Sequence, residues 1–206
     1  LVNGKPFFGN DPSITIKNLT KEIIEKIFLE SQIRGRHATG VSYYKNGKVN
    51  TIKEPVPAEQ FLKKHDPSEW YDGDEITMIG HCRYSTSDLQ YNQPISDESK
   101  SIVHNGVISQ EMPESWKQLY NIDCETKNDT ELLFHSTPDD WPDASIAAVF
   151  LEGGKMTWTR NGKRPLWFTS LDKCDIITST EDIAIRSGLH GSVKVEYNGK
   201  DLQNDY

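Results

Sequence analysis

The sequence has little cysteine: Cys82, Cys124 and Cys174 are the three in 206 residues, far apart and without a Cys-x-x-Cys pair. That argues against a disulfide framework and against a cysteine zinc site. It fits a reducing compartment, so the expected location is cytoplasmic. An excess of positive charge is also missing. Asp and Glu number 31 against 23 Lys and Arg, the net charge is -8, and no basic stripe stands out. Nucleic acid and anionic membrane surfaces are therefore not expected partners. No apolar run approaches the ~20 residues of a membrane span, and the opening residues carry no signal-peptide pattern. Repeats, low-complexity tracts and an obvious linker are lacking too. His, Asp and Glu do not fall at metal-ligand spacings, so no metal and no organic cofactor is expected.

What remains is 35% hydrophobic and 10% aromatic, enough for a core, in a chain long enough for one large domain and short for two. Thr20 to Gln32 places Ile23, Ile24, Ile27 and Phe28 at helical spacing, which predicts an amphipathic helix capped by Thr20 or Asn18. Two strands flank Asn46-Gly47, a strong hairpin signal. A short polar helix is expected over 57–66 and a buried strand over 75–81. Another strand is expected over 101–107, and a helix over 129–135 opening on Asp or Asn. Residues 145–150 and 155–160 pair across Gly153-Gly154. Short strands follow at 166–170 and 175–179, then a helical turn from Glu181 to Arg186, and a last strand at 193–197. Residues 1–10 read as a strand end and turn. The pattern is one α+β domain with antiparallel sheets.

Three stretches carry chemistry. Gly80 to Thr86, GHCRYST, delivers a guanidinium beside hydroxyls at the end of a strand. Arginine's planar fork matches a carboxylate in two parallel hydrogen bonds, though a structural ion pair would use it equally well. His104-Asn105-Gly106 offers a side-chain amide and a glycine N–H that can converge on one oxygen, the requirement of an oxyanion hole. Alone it is also an ordinary turn. Asp129, in KNDTELL, suits either a helix cap or a ligand ammonium.

These stretches occur in one order with RGRHATG at 34–40, YNQP at 91–94, RNGKRPL at 160–166 and STEDIA at 179–184. Taken together the chain resembles the class II glutamine amidotransferase domains, which carry an N-terminal nucleophile. The likeness runs over about residues 31–188. It implies a four-layer αββα sandwich of two antiparallel sheets. It implies L-glutamine as substrate and an ammonia-accepting synthase domain or subunit as partner. By the same resemblance Arg83 and Thr86 hold the substrate's amino-acid end, with Arg83 on the α-carboxylate. Asp129 takes the α-ammonium, Asn105 and Gly106 form the oxyanion hole, and the Arg34 loop borders the nucleophile. Ser87 stands where the family has a hydroxyl or histidine, and His37 replaces an aspartate.

The family's nucleophile is the cysteine that opens a Cys-Gly-Ile-x-Gly strand, and its own α-amino group is the base. No cysteine lies near Leu1. Because initiator Met is generally removed only before small residues, and leucine is not one, the expectation is a single domain over 1–206 that lacks a few N-terminal residues. Cys82 sits where the family has Thr. It points to the opposite face of its strand from His81 and is expected to be a buried structural residue. Two alternatives stay open. One is a catalytically inactive member of the fold acting as a binding or assembly module. The other is hydrolysis of a different amide on the same fold.

Overall fold

The computed structural model describes residues 16–72, 76–84, 88–171 and 174–196. Helix α1 (Ile16–Ser31) opens the described chain and buries Ile24 and Phe28. The chain is already helical at Ile16, four residues before the start that the spacing predicts. Thr20, expected as a cap, is thus a buried interior residue, and Asn18 is helical as well. The expected turn at 1–10 lies outside the described residues. Strands β1 (Ala38–Lys45) and β2 (Lys48–Glu54) form the hairpin predicted around Asn46-Gly47, both with positive φ. Helix α2 (Ala58–Lys64) follows, then β3 (Met78–Arg83), β4 (Ile95–Ser96) and β5 (Lys100–His104). Helix α3 (Trp116–Tyr120) was not expected. Its five residues follow Pro113 and contain one buried apolar side chain, Trp116, too few for a period to show. Helix α4 (Thr130–Phe134), the hairpin β6 (Ala147–Glu152) and β7 (Lys155–Arg160), then β8 (Trp167–Leu171), β9 (Cys174–Thr178), α5 (Glu181–Arg186) and β10 (Val193–Lys194) complete the order.

All strand pairs are antiparallel, as expected, and helices lie between them. Among the described residues the strands make three sheets rather than two: β2-β1-β3, β10-β8-β9 and β4-β5-β6-β7. The reason is that β3 and β9 are each paired on one side only.

Side-chain alternation sorts the core. On β1, Val41 packs with Ile24, Phe28, Phe61 and Trp70 of the helical side, while its neighbour Ser42 turns the other way. On β3, Cys82 joins that helical cluster and Ile79 faces Val149, Leu151 and Trp158 of the four-stranded sheet. The far face of that sheet meets α3 and α4 through Ile102, Ala148, Trp116 and Leu132. A fourth cluster ties β9 to α1 and α5 through Ile176, Ile27 and Ala184. Phe28 fixes α1 over β3, because its ring occupies the place of a side chain at Gly80. A Cβ there would lie 2.7 Å from the ring.

A hydroxyl chain crosses between the sheets. Ser101 Oγ of β5 donates to Ser42 Oγ of β1 at 2.7 Å, and Ser42 Oγ lies 2.6 Å from Thr51 Oγ1 of β2. Ser42 and Ser101 are buried, and Ser101 Oγ also reaches Ile95 O at 3.2 Å, so the chain satisfies both hydroxyls away from water. Ser42→Ala is expected to cost about 1–2 kcal/mol of stability. Urea unfolding followed by tryptophan fluorescence reads this, and an unchanged midpoint would show the chain to be incidental.

Candidate active site

The sequence motifs meet through backbone contacts too close for side chains. Gly35 presses on the Arg83–Tyr84 peptide, and a Cβ at Gly35 would overlap it. The His37 N–H donates to the Arg83 carbonyl at 2.9 Å. Gly40 lies against the Gln93–Pro94 peptide in the same way. The loop RGRHATG is thus pinned to GHCRYST and to YNQP.

Gln93 then fixes the third motif. Its Oε1 accepts the His104 N–H at 2.7 Å and its Nε2 donates to the His104 carbonyl at 3.1 Å. A side-chain amide thereby imitates a neighbouring strand at the end of β5, where Asn105 and Gly106 begin. Asn105 donates its own N–H to Ala147 O. Its side-chain Nδ2 is buried without a hydrogen-bond partner among the described residues. At Gly106 a Cβ would overlap the Ser145 carbonyl, so only glycine lets the chain pass.

A cavity of about 390 Å³ collects these groups. Arg34, Arg83, Asn105 and Gly106 all line it, with His81 and His104. Arg83 Nε is buried without a partner among the described residues, and its guanidinium lies 5.6 Å from the centre of the Tyr91 ring. Burial lowers the Arg83 pKa, and the Asp129 carboxylate works in the opposite sense. Arg34 is anchored. Its Nε donates to Ser179 Oγ and its Nη2 to Ser179 O, both at 2.9 Å, which ties the first motif loop to STEDIA. Burial, then repulsion from Arg164, lowers its pKa.

Asp129 stands apart from the cavity wall. It does not cap α4, because Asn128 does so by accepting the Thr130 N–H at 3.0 Å. Asp129 Oδ2 instead accepts the N–H groups of Ile108 at 2.6 Å and Ser109 at 3.3 Å, just beyond Asn105-Gly106. The carboxylate therefore organises the loop and faces the cations electrostatically. Thr86 lies outside the described residues, as does Ser87.

Two histidines and a glutamine escaped the sequence reading as individual residues. His81 lies two residues before Arg83 on β3 and shares its face, a relation alternation alone gives. Its Nδ1 is buried without a partner among the described residues, and burial, then Arg83, His104 and Arg34, push its pKa down to about 3. His104 Nε2 donates to Ser145 O at 3.0 Å, which leaves Nδ1 to accept from Thr130 Oγ1 at 3.3 Å. Burial lowers its pKa as well, against the pull of Asp129. Gln93 gave no such signal, because its role needs the fold.

None of the three cysteines is activated. Burial pushes the Cys82 thiol up to about 12, and its Sγ donates to Phe28 O on the side facing α1. Cys124 rises to about 12 through burial, Glu131 and Asp123, and burial raises Cys174. A thiol so raised supplies little thiolate at neutral pH. Among the described residues no group of three His, Cys, Asp or Glu could hold a metal ion. No helix among them is long and apolar enough to cross a membrane.

Solved structures share this arrangement of elements. The glutamine phosphoribosylpyrophosphate amidotransferase of B. subtilis, complexed with ADP and GMP, matches with a TM-score of 0.66 at 17% identity. A second, the allosteric regulatory enzyme of purine biosynthesis, matches with a TM-score of 0.66 at 20% identity. The chain has a class II glutamine amidotransferase-like fold. The matches cover 87% and 85% of this chain but 47% and 43% of those, so it spans under half the length of either. No family model matches the sequence, and no curated protein does. At these identities the likeness is one of fold, which agrees with the resemblance seen in the motifs.

The depressed histidines set a pH dependence. Both are neutral in the folded protein, while the unfolded chain binds protons near the ordinary histidine value of ~6.5. Unfolding is therefore favoured as pH falls below about 6.5, and for His81 the loss continues toward 3. The urea midpoint is expected to fall between pH 7 and 5, above the carboxylate range. His81→Gln should flatten that fall, and a variant with the wild-type slope would assign the dependence elsewhere.

Proposed function

We propose that the domain hydrolyses the side-chain amide of L-glutamine to glutamate and ammonia, the ammonia passing to an acceptor on a partner domain or subunit. One observation carries this reading. An Asn105 amide nitrogen buried without a partner among the described residues lies beside Gly106, and both line the same cavity as Arg83. A buried donor with nothing to bind is costly unless a ligand oxygen completes it.

Arg83 takes the α-carboxylate as a bidentate pair, and Thr86 assists at the same end of the substrate. Asp129 supplies the opposite charge for the α-ammonium. The Arg34 loop, fixed on Ser179, borders the nucleophile. On this reading the nucleophile is an N-terminal cysteine, as the resemblance implies, with its α-amino group as base. Its unperturbed pKa of ~7.7–8.0 suits proton transfer at neutral pH. The thiolate adds to the amide carbon. Asn105 Nδ2–H and the Gly106 N–H receive the oxyanion. Collapse breaks the C–N bond, the protonated base gives its proton to the departing nitrogen, and ammonia leaves. Water then hydrolyses the γ-glutamyl thioester.

The acceptor belongs to another domain or subunit, in keeping with neighbours whose matched part is under half of a longer chain. The αββα order of layers belongs to the same reading. It is supported by the helical clusters on either side of the apolar layer between sheets. A binding module without catalysis is the second reading, favoured by the raised thiols of all three cysteines. Glutamate release by the chain carrying a Cys-Gly-Ile-x-Gly extension separates the two.

Arg83→Ala should weaken glutamine binding ~10–100-fold, as loss of a charge-assisted pair of roughly 1.5–3 kcal/mol predicts. Titration calorimetry measures it, and unaltered affinity would remove Arg83 from the site. Asn105→Ala should lower turnover by about 10²–10³ with a smaller change in binding. Normal turnover in that variant would end its role as an oxyanion donor.

A further inference from the structure

A second hollow, an open groove of about 940 Å³, lies outside the candidate active site. Val107 and Ser145 line it, next in the chain to residues that line or border the cavity, yet the two hollows share no lining residue. The proposed reaction uses nothing in it. Its apolar walls come from three separate segments: Val107 and Ile108 after β5, Tyr120 and Ile122 at the end of α3, and Trp141 and Pro142 ahead of β6. The two aromatic rings are held before anything binds. They meet edge to face, 4.9 Å between centres at 72°. Tyr120 Oη lies 2.8 Å from Ser109 Oγ, and Trp141 Nε1 donates to Ser136 Oγ at 2.7 Å, so their polar atoms are satisfied inside the protein. What the rings offer is apolar surface already fixed in place, which a partner can cover at little entropic cost. Met112 and Leu119, in the segment that joins two of these walls, are 69% and 54% exposed. Apolar groups exposed about a groove mark an interaction surface.

Charge selects the partner. Residues 109–143 hold nine Asp and Glu against two Lys, a net of -7 and almost all of the chain's -8. Asp129 and Glu131 are turned to N–H groups of the fold. The other seven carboxylates are exposed. Lys117 answers Asp123, and among the described residues no ion pair joins the remaining six, Glu111, Glu114, Glu125, Asp139, Asp140 and Asp143. Asp140 and Asp143 line the groove, and Glu111 and Asp139 each adjoin a lining residue in the chain. Arg164 and His135 are the basic groups of the lining, so the lining itself is near balance and the unanswered acid stands around it. Such a rim repels an anionic ligand, a nucleic acid or an acidic membrane, and a second copy docked face to face would bring equal charge to it. It attracts a basic peptide, whose apolar side chains then have fixed walls to meet.

We propose that this groove docks a basic segment of another polypeptide, with Lys or Arg answering the acidic rim and an apolar anchor seated against Tyr120 and Trp141. The rim charge steers the encounter, and the anchor in its aromatic seat holds the complex. The docking stands whether or not the domain hydrolyses glutamine.

The probe is a fluorescein-labelled peptide, Lys-Arg-Leu-Lys-Trp-Arg-Lys, titrated with the 206-residue chain and followed by fluorescence anisotropy. One control peptide carries Glu for every Lys and Arg, and the other carries Ser for Leu and Trp. The basic peptide should bind, less tightly as salt rises, and each control at least about 10-fold more weakly. Glu111→Gln, Asp139→Asn and Asp143→Asn together should weaken the basic peptide about 10-fold. Asp140 is left in place because its carboxylate accepts the Thr137 N–H at 2.8 Å. Pro142→Arg, at an exposed lining position, sets a cation and bulk in the groove and should abolish binding, with circular dichroism checking that the fold is kept. Equal binding of the Ser-bearing control, or unchanged binding to the triple variant or to Pro142→Arg, would reduce the contact to adsorption by charge and overturn the proposal. Sedimentation of the chain alone as a dimer that Pro142→Arg breaks would give the groove to a second copy and overturn it as well.

Discussion

The paired amide of Gln93 is the constraint on which the site depends. Its two hydrogen bonds to the His104 backbone hold the end of β5 on the side where β4 no longer pairs with it. Without them, a buried donor and a buried acceptor would be left unmet in the middle of the molecule. Everything beyond inherits that fixed point. Asn105 leaves the strand lining the cavity, Gly106 slips past Ser145, and Asp129 gathers the N–H groups of Ile108 and Ser109. The pocket is therefore positioned by backbone pairing more than by packing of its own side chains.

Charge is distributed against the grain of the chain. The protein carries a net charge of -8, yet the guanidinium groups of Arg34 and Arg83 line the cavity and Arg164 acts on it from nearby. Asp129 is the carboxylate that answers Arg83 and His104. Such a site favours an anionic group at one end and keeps its two histidines neutral, since a further cation would be repelled as well as desolvated. Neutral histidines in turn can accept or donate a hydrogen bond without adding to the field. The arrangement separates the binding of charge, left to arginine and aspartate, from the shaping of the loop, left to imidazole and amide.

Much of the fold could be read in advance because its signals are local. Asn46-Gly47 and Gly153-Gly154 announce hairpins, and the spacing of Ile24, Ile27 and Phe28 announces α1. The start of α1 was misjudged because a cap residue such as Thr20 is also acceptable inside a helix that buries it. Site residues were legible as an ordered series of motifs, and four of the six, Arg34, Arg83, Asn105 and Gly106, share one cavity. Asp129 was ambiguous for a physical reason, since Asn128 beside it serves the cap equally well. Gln93 and His81 act through contacts between distant segments. No pattern within a few residues encodes such contacts.

The notch at Gly80 makes α1 a keyed part. Phe28 sits where any larger residue on β3 would stand, so the helix can neither rotate nor advance by one residue's rise, ~1.5 Å, without driving its ring into the strand. Arg34 follows the helix by only three residues and ends on Ser179. Helix, loop and β9 thus behave as one lever seated in a socket. Sequence drift at position 80 and at position 28 is coupled: a side chain can grow at one only if it shrinks at the other.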